Sequence, residues 1–245
     1  MSYFILFAGK GGTGKSSLAA LTVRYFKQKN ISPILAVDAD PNFCLPELLG
    51  ISNVETLAEI RDNALQKKPE GMSLDNWLEI EINRIVEESE GFDLLVMGRP
   101  EGSGCYCAVN NVLKRILQEI SEQYNYIVVD NEAGMEHISR GIVNKIDLLF
   151  IVGTPAKSSI QAALRINDLI KELGIVPKKK IFIINQAIDE ISETAEIKKD
   201  FEKILYVNFD ANLKKLSEQG DSIFSLKPDS EIIKSFYKIL EEEIE

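Results

Sequence analysis

The sequence predicts an α/β fold with a mainly parallel central sheet flanked by helices, carried by a single domain over residues 1–245. Three observations predict it. Short apolar runs alternate with segments of helical spacing along the chain, the signature of βαβ units. A glycine-rich turn joins the first apolar run to the first helical segment. No internal repeat, low-complexity tract or linker interrupts the alternation, and 245 residues with 45% hydrophobic content suffice for one large core.

Taken in order, the apolar runs place strands at Tyr3–Ala8, Pro33–Val37, Phe92–Met97, Tyr126–Val129, Leu148–Val152 and Ile181–Ile184, with a short one at Leu205–Asn208. Apolar residues at helical spacing place helices between them, at Lys15–Gln28, Leu74–Glu88, Asn110–Gln123, Ser158–Leu173 and Ser230–Glu243. Residues from Gly50 to Met72 are mixed and charged, and are expected to form a loop or short helix at the rim.

Composition excludes several classes of function. The net charge of −10 opposes nonspecific binding to nucleic acid or anionic membrane. No apolar run approaches the roughly 18 residues of a membrane span. The first apolar run has no basic segment before it and leads directly into the glycine-rich turn, so no signal peptide is expected. Three cysteines, two of them one residue apart, suit a reducing compartment. The expected location is cytoplasmic.

The chemistry starts at Gly9-Lys10-Gly11-Gly12-Thr13-Gly14-Lys15-Ser16-Ser17, where strand, glycine-rich loop and helix follow one another. This is the context that makes G-x-x-x-x-G-K-[ST] a phosphate-binding loop. Glycines let successive backbone N–H groups of Gly11, Gly12, Thr13 and Gly14 converge on phosphate oxygens. Lys15 places a cation on the β- and γ-phosphates, Ser16 offers a hydroxyl to Mg²⁺ with Ser17 beside it, and the helix dipole adds to the field.

Lys10 is a second lysine in the motif, and a single phosphate clamp does not need it. Lys10 through Ser17 fits K-G-G-x-G-K-[ST]-[ST], and the sequence here resembles the deviant Walker A P-loop ATPases: the nitrogenase iron protein, the MinD and ParA positioning proteins and their metal-handling relatives. The resemblance implies ATP or ADP as ligand with Mg²⁺, and a nucleotide-sandwich homodimer. In it Lys10 reaches the partner's phosphates in trans, as an arginine finger does.

Asp38-Ala39-Asp40-Pro41-Asn42 follows the second strand, at the carboxyl edge where ligands sit in open α/β sheets. An Asp-Pro turn closing a strand would look the same. By resemblance this is switch I, with Asp40 orienting the attacking water and Asp38 nearer the metal. Ile127-Val128-Val129-Asp130 delivers a carboxylate to a strand end in the Walker B manner, for Asp130 to hold Mg²⁺ indirectly. Gly134 then permits a switch II turn. Asn185 follows the sixth apolar run. In the family an asparagine there reads the adenine edge, although a strand-end turn accounts for it equally. Relatives often carry a proline after the next strand, where this chain has Asn208-Phe209-Asp210.

Gly98-Arg99-Pro100-Glu101-Gly102-Ser103-Gly104-Cys105-Tyr106-Cys107 lies between the third expected strand and a helix. A nearby helix N-terminus favours thiolates at Cys105 and Cys107. Two thiolates do not complete a tetrahedral site, but a two-fold dimer would supply four. A lone C-x-C also fits inert cysteines or a redox pair. Cys44, in Phe43-Cys44-Leu45, is expected in the core.

With Asp-Asn-Glu-Ala-Gly-Met-Glu-His over Asp130–His137, this stretch resembles the CooC-type nickel-insertion ATPases of carbon monoxide dehydrogenase maturation and the accessory proteins of acetyl-CoA synthase. The resemblance implies that Cys105 and Cys107 bind Ni²⁺ or Zn²⁺ at a dimer interface, and that one of those two enzymes is the client. Thiolate softness does not choose between the metals. His137 reads as a partner contact or cap rather than a ligand, and Glu132 and Glu136 either tune switch II or are solvated. An electron-transfer or positioning ATPase of the same class is the competing reading. The acidic ending Glu241-Glu242-Glu243-Ile244-Glu245 disfavours the positioning form.

Overall fold

The computed structural model describes residues 2–67, 69–73, 77, 81, 85–99, 114–131, 146–188, 195–201 and 203–244. Eight strands form one sheet: β1 (Tyr3–Gly9), β2 (Ile34–Ala39), β3 (Glu87–Ser89), β4 (Phe92–Val96), β5 (Tyr126–Asn131), β6 (Leu148–Gly153), β7 (Lys179–Ala187) and β8 (Lys203–Asn208). Their spatial order is β3-β4-β2-β5-β1-β6-β7-β8, and only β3 runs antiparallel to its neighbour. The α/β fold with a mostly parallel sheet flanked by helices is therefore as expected.

The strands read as continuous apolar runs because both faces of the sheet are covered. Alternate residues of β1 serve opposite cores. Ile5 and Phe7 pack with Leu21, Phe26, Phe150 and Phe236. Leu6 and Ala8 pack with Leu149, Ile151, Ile166 and Phe182 on the other side. The first core is closed by helices α1 (Lys15–Gln28) and α2 (Leu45–Leu48), with the C-terminal helix Glu231–Ile244. Four further helices are numbered in chain order: α3 (Leu57–Lys67), α4 (Lys157–Glu172), α5 (Ala195–Asp200) and α6 (Ala211–Gln219), which makes the C-terminal helix α7.

Arg24, on α1, is 2% exposed inside this core. Its guanidinium donates to the carbonyls of Ile223 (2.6 Å) and Leu226 (2.8 Å), tying α1 to the 3₁₀ turn Ile223–Ser225. Burial lowers its pKa, so those two bonds offset a desolvation cost.

Three differences from expectation, and one expectation left open between two forms, have local causes. The expected helix over Leu74–Glu88 has ended before Glu87, where β3 begins. Its sequence, Glu-Glu-Ser, shows no apolar alternation because an edge strand buries little. The rim segment, expected as a loop or short helix, takes the helical form in the eleven-residue α3, started by a reciprocal cap. The Glu59 carboxylate accepts from the Thr56 N–H (2.8 Å), and the Thr56 hydroxyl accepts from the Glu59 N–H (3.2 Å). Residues 114–120 are helical, but Ser121–Gln123 tightens into a 3₁₀ turn. Finally, α6 lies where no helix was expected, with Asp210 capping its start and Gly220 (φ 70°) ending it.

Candidate nucleotide site

The loop after β1 is built by close approach. A Cβ on Gly9 would lie 2.2 Å from the Val152 carbonyl oxygen of β6. Gly14 has φ +89°, and a Cβ there would lie 2.3 Å from Asn185 Nδ2. The loop closes on itself, with the Thr13 hydroxyl donating to the Lys10 carbonyl at 2.8 Å. Gly14 heads α1, whose first turn contains no acidic side chain and whose start carries no side-chain cap. Its leading N–H groups therefore remain available to an anion.

Lys15 is 5% exposed, and its ammonium sits 3.8 Å from Asp40 Oδ2. Lys10, Gly11 and Gly12 are exposed, whereas Ser16 and Ser17 are half-buried. Asp38 and Asp130 face each other in register on β2 and β5, both fully buried. Their circumstances differ. Asp38 Oδ1 accepts from the Asp40 N–H (3.0 Å) and Oδ2 from the Leu45 N–H (2.9 Å), while its own carbonyl accepts from the Met97 N–H (2.8 Å). It organises the turn that carries Asp40, and burial together with Asp130 raises its pKa well above the usual range. Asp40 in turn accepts from the Asn42 backbone and side chain, each at 3.0 Å.

Asp130 has no hydrogen-bond partner at either carboxylate oxygen among the described residues. Burial pushes its pKa from 3.8 up to about 6, against the pull of Lys15 and the Ser16 hydroxyl. A buried carboxylate beside a serine hydroxyl fits a hydrated dication, and Ser16 with Asp130 are the residues that would hold Mg²⁺.

Asn185, at the end of β7, spends an amide hydrogen on the Thr13 carbonyl at 2.8 Å. It thereby latches β7 to the phosphate loop. Beside it opens a cavity of about 480 Å³ that runs from Gly12–Ser17 past Asn185 and Gln186 to Phe209 and Asp210. Phe209 is 44% exposed at its edge. Asp210 is committed to capping α6, accepting from the N–H groups of Asn212 and Leu213. Sequence reasoning missed Gln186 and Phe209 as lining residues. An exposed aromatic directly after a strand end was the available signal.

Cys44 overturns its expectation. It is exposed, on the rim of this cavity, because Phe43 turns the chain at φ +33° and Leu45 takes the buried place instead. Desolvation, with Asp38 and Asp40 nearby, raises its thiol pKa, which disfavours the thiolate. Cys105, Cys107, Glu132, Gly134, Glu136 and His137 lie outside the described residues. Among the described residues no cluster of three or more His, Cys, Asp or Glu side chains could hold a metal. Among them, too, no helix is long and apolar enough to cross a membrane.

Residues 4–235 match the CobQ/CobB/MinD/ParA nucleotide binding domain family. The chain belongs to that family. It is a P-loop ATPase of the MinD/ParA class. An uncharacterized ATP-binding protein of Methanocaldococcus jannaschii is 35% identical over 248 residues, covering 97% of this chain and 96% of that protein. The carbon monoxide dehydrogenase accessory protein CooC of Rhodospirillum rubrum is 28% identical over 240 residues, covering 91% and 90% of the two chains. Among solved structures, the septum site-determining protein MinD of Pyrococcus horikoshii, complexed with Mg-ADP, superposes with a TM-score of 0.72 at 19% identity over 99% of this chain and 96% of its own. The cell division ATPase MinD of Pyrococcus furiosus gives 0.74 at 18% identity, over 99% and 98%.

Proposed function

We propose that this chain is an ATP-dependent metallochaperone, working as one domain over residues 1–245 and using nucleotide as a dimerisation switch. ATP or ADP lies along the phosphate loop with Lys15 on its terminal phosphates. Mg²⁺ is held by Ser16 directly and by Asp130 through water, and Asp40 orients the attacking water. Asp38 shapes that turn rather than ligating, since both its oxygens are already bonded to backbone N–H groups. Lys10, exposed at the mouth of the loop, reaches the partner's phosphates in the homodimer. Asn185 reads adenine with the amide capacity left after its bond to Thr13. Turnover is slow, as suits a switch.

The cargo is Ni²⁺ or Zn²⁺, held by Cys105 and Cys107 from each of two copies, and the client is carbon monoxide dehydrogenase or acetyl-CoA synthase. The observation that carries this reading is the Gly98–Cys107 stretch, together with similarity to CooC over 91% of the chain. Two thiolates per chain are half of a tetrahedral site, and a two-fold axis completes it. The chain acts in the cytoplasm and binds neither membrane nor nucleic acid.

The second reading, a positioning ATPase, is supported by the MinD-like fold. The net charge of −10 weighs against it, because such proteins need a basic or amphipathic surface for their anionic support. The deciding experiment is anaerobic Ni²⁺ and Zn²⁺ titration with light scattering, with and without ADP or ATP, on wild type and on Cys105→Ala/Cys107→Ala. One metal per two chains, lost in the variant and coupled to dimer formation, supports the metallochaperone. Dimerisation by ATP alone, with no cysteine-dependent metal uptake, leaves the positioning ATPase standing.

A further inference from the structure

The end of the sheet opposite the phosphate loop carries a feature that nucleotide chemistry does not use. A cavity of about 470 Å³ opens where β7 and β8 begin, bordered by the end of α4 and by α5. It is lined by Lys171, Lys178, Lys179, Lys180, Lys199 and Lys203, six of the 28 cationic residues of a chain whose net charge is −10. Such a concentration runs against the character of the rest of the molecule. From Lys179 to Asn185 is six residues of strand, so the cavity lies roughly 20 Å from the phosphate loop.

Among the described residues the lining holds two carboxylates, Asp200 and Glu243, beside its six ammonium groups. Lys178 pairs with Asp147 at 2.7 Å, Lys171 with Asp200 at 2.7 Å, and Lys203 with the buried Glu243. Lys179 donates to the neutral carbonyl oxygen of Glu243 at 2.6 Å, and Lys180 to Asn167 Oδ1. Lys199 is exposed and has no ion pair among the described residues. The floor and rim are aliphatic, with Ile175 and Pro177 flanking Val176, which is 87% exposed.

We infer that this cavity docks an acidic peptide segment of a protein partner, one that carries an aliphatic side chain among its carboxylates. The chemistry favours a peptide over a phosphate group. Among the described residues no arginine fork lines the cavity, and the end of α4 that faces it is the carboxyl end rather than an N–H-rich amino end. Ammonium groups on separate flexible stems suit carboxylates spaced along a backbone, and Val176 offers an apolar contact that a bare polyanion would leave unused.

The test is fluorescence anisotropy with a labelled peptide of Glu, Asp and Leu. A Lys/Leu peptide of equal length, single-stranded DNA and phosphatidylserine vesicles serve as competitors. Lys199→Glu/Val176→Asp changes two exposed side chains, so the fold and the ATPase rate are expected to stay as in wild type. The acidic peptide is expected to bind in preference to every competitor, more weakly as salt rises, and roughly tenfold more weakly to the double variant. The inference is overturned if the acidic peptide binds no better than the basic one, if the variant binds it unchanged, or if DNA or vesicles displace it more readily than unlabelled peptide does. None of these outcomes depends on Cys105 or Cys107, so this inference and the metallochaperone reading stand or fall separately.

Discussion

Replacing Asp130 with asparagine is expected to stabilise the nucleotide-free protein while abolishing its response to Mg²⁺. The carboxylate is fully buried and has no hydrogen-bond partner by geometry among the described residues, and its pKa rises from 3.8 to about 6. Because the folded value lies above the unfolded one, the native state holds a proton that the unfolded chain releases between those limits. Stability is therefore highest at low pH within this pair of values and falls as pH rises from 3.8 towards about 6, where the native group must ionise in place. At about 1.36 kcal/mol per pH unit, the penalty at neutral pH reaches about 3 kcal/mol. An amide of the same shape carries none of that charge. Urea denaturation at pH 5 and pH 7.5 measures it, with and without Mg-ADP. The variant is expected to gain up to about 3 kcal/mol over wild type at pH 7.5 and less at pH 5. Wild type alone should gain stability from Mg²⁺ added on top of ADP. An apo variant weaker than wild type at pH 7.5 would refute the reasoning, because it would mean that the carboxylate already has a partner.

Two further substitutions probe other parts of the argument. Arg24→Met keeps the buried stem but leaves the Ile223 and Leu226 carbonyls short of their donors, and is expected to lower unfolding free energy by about 2 kcal/mol in urea titration. Unchanged stability would mean that water reaches those carbonyls. Gly14→Ala pushes a Cβ against Asn185 at a φ of +89°, a backbone cost of about 1–2 kcal/mol before any clash. Calorimetry should show ADP affinity falling at least tenfold, and an unaltered affinity would show that the loop reforms freely around its ligand.

Much of this architecture is legible in the chain because its strongest signals are local. Helix α1 is expected and observed over Lys15–Gln28, since the glycine-rich turn fixes its start. The parallel strands announce themselves because burial on both faces demands uninterrupted apolar residues. What stays hidden is set by contacts distant in sequence. The latch between Asn185 and Thr13 spans 172 positions, and nothing near either residue betrays it. Asp38 and Asp130 look interchangeable as strand-end carboxylates, yet among the described residues backbone N–H groups bond the first and not the second. Cys44 misleads because Phe43-Cys44-Leu45 reads as an apolar run, while a positive φ at Phe43 turns the thiol outward. Helix α6 was legible in principle, since Asp210 and Gly220 punctuate both its ends.

Asp38 has a mechanical consequence. Its side chain grips the turn that carries Asp40 and the start of α2, and its carbonyl grips Met97. Met97 stands one residue before Gly98, from which the sequence proceeds to Cys105 and Cys107. One strand-end residue thus ties the turn that carries Asp40 to Met97, just past the end of β4. A shift of the turn at Asp40 is therefore expected to strain the backbone at Met97 through this single residue.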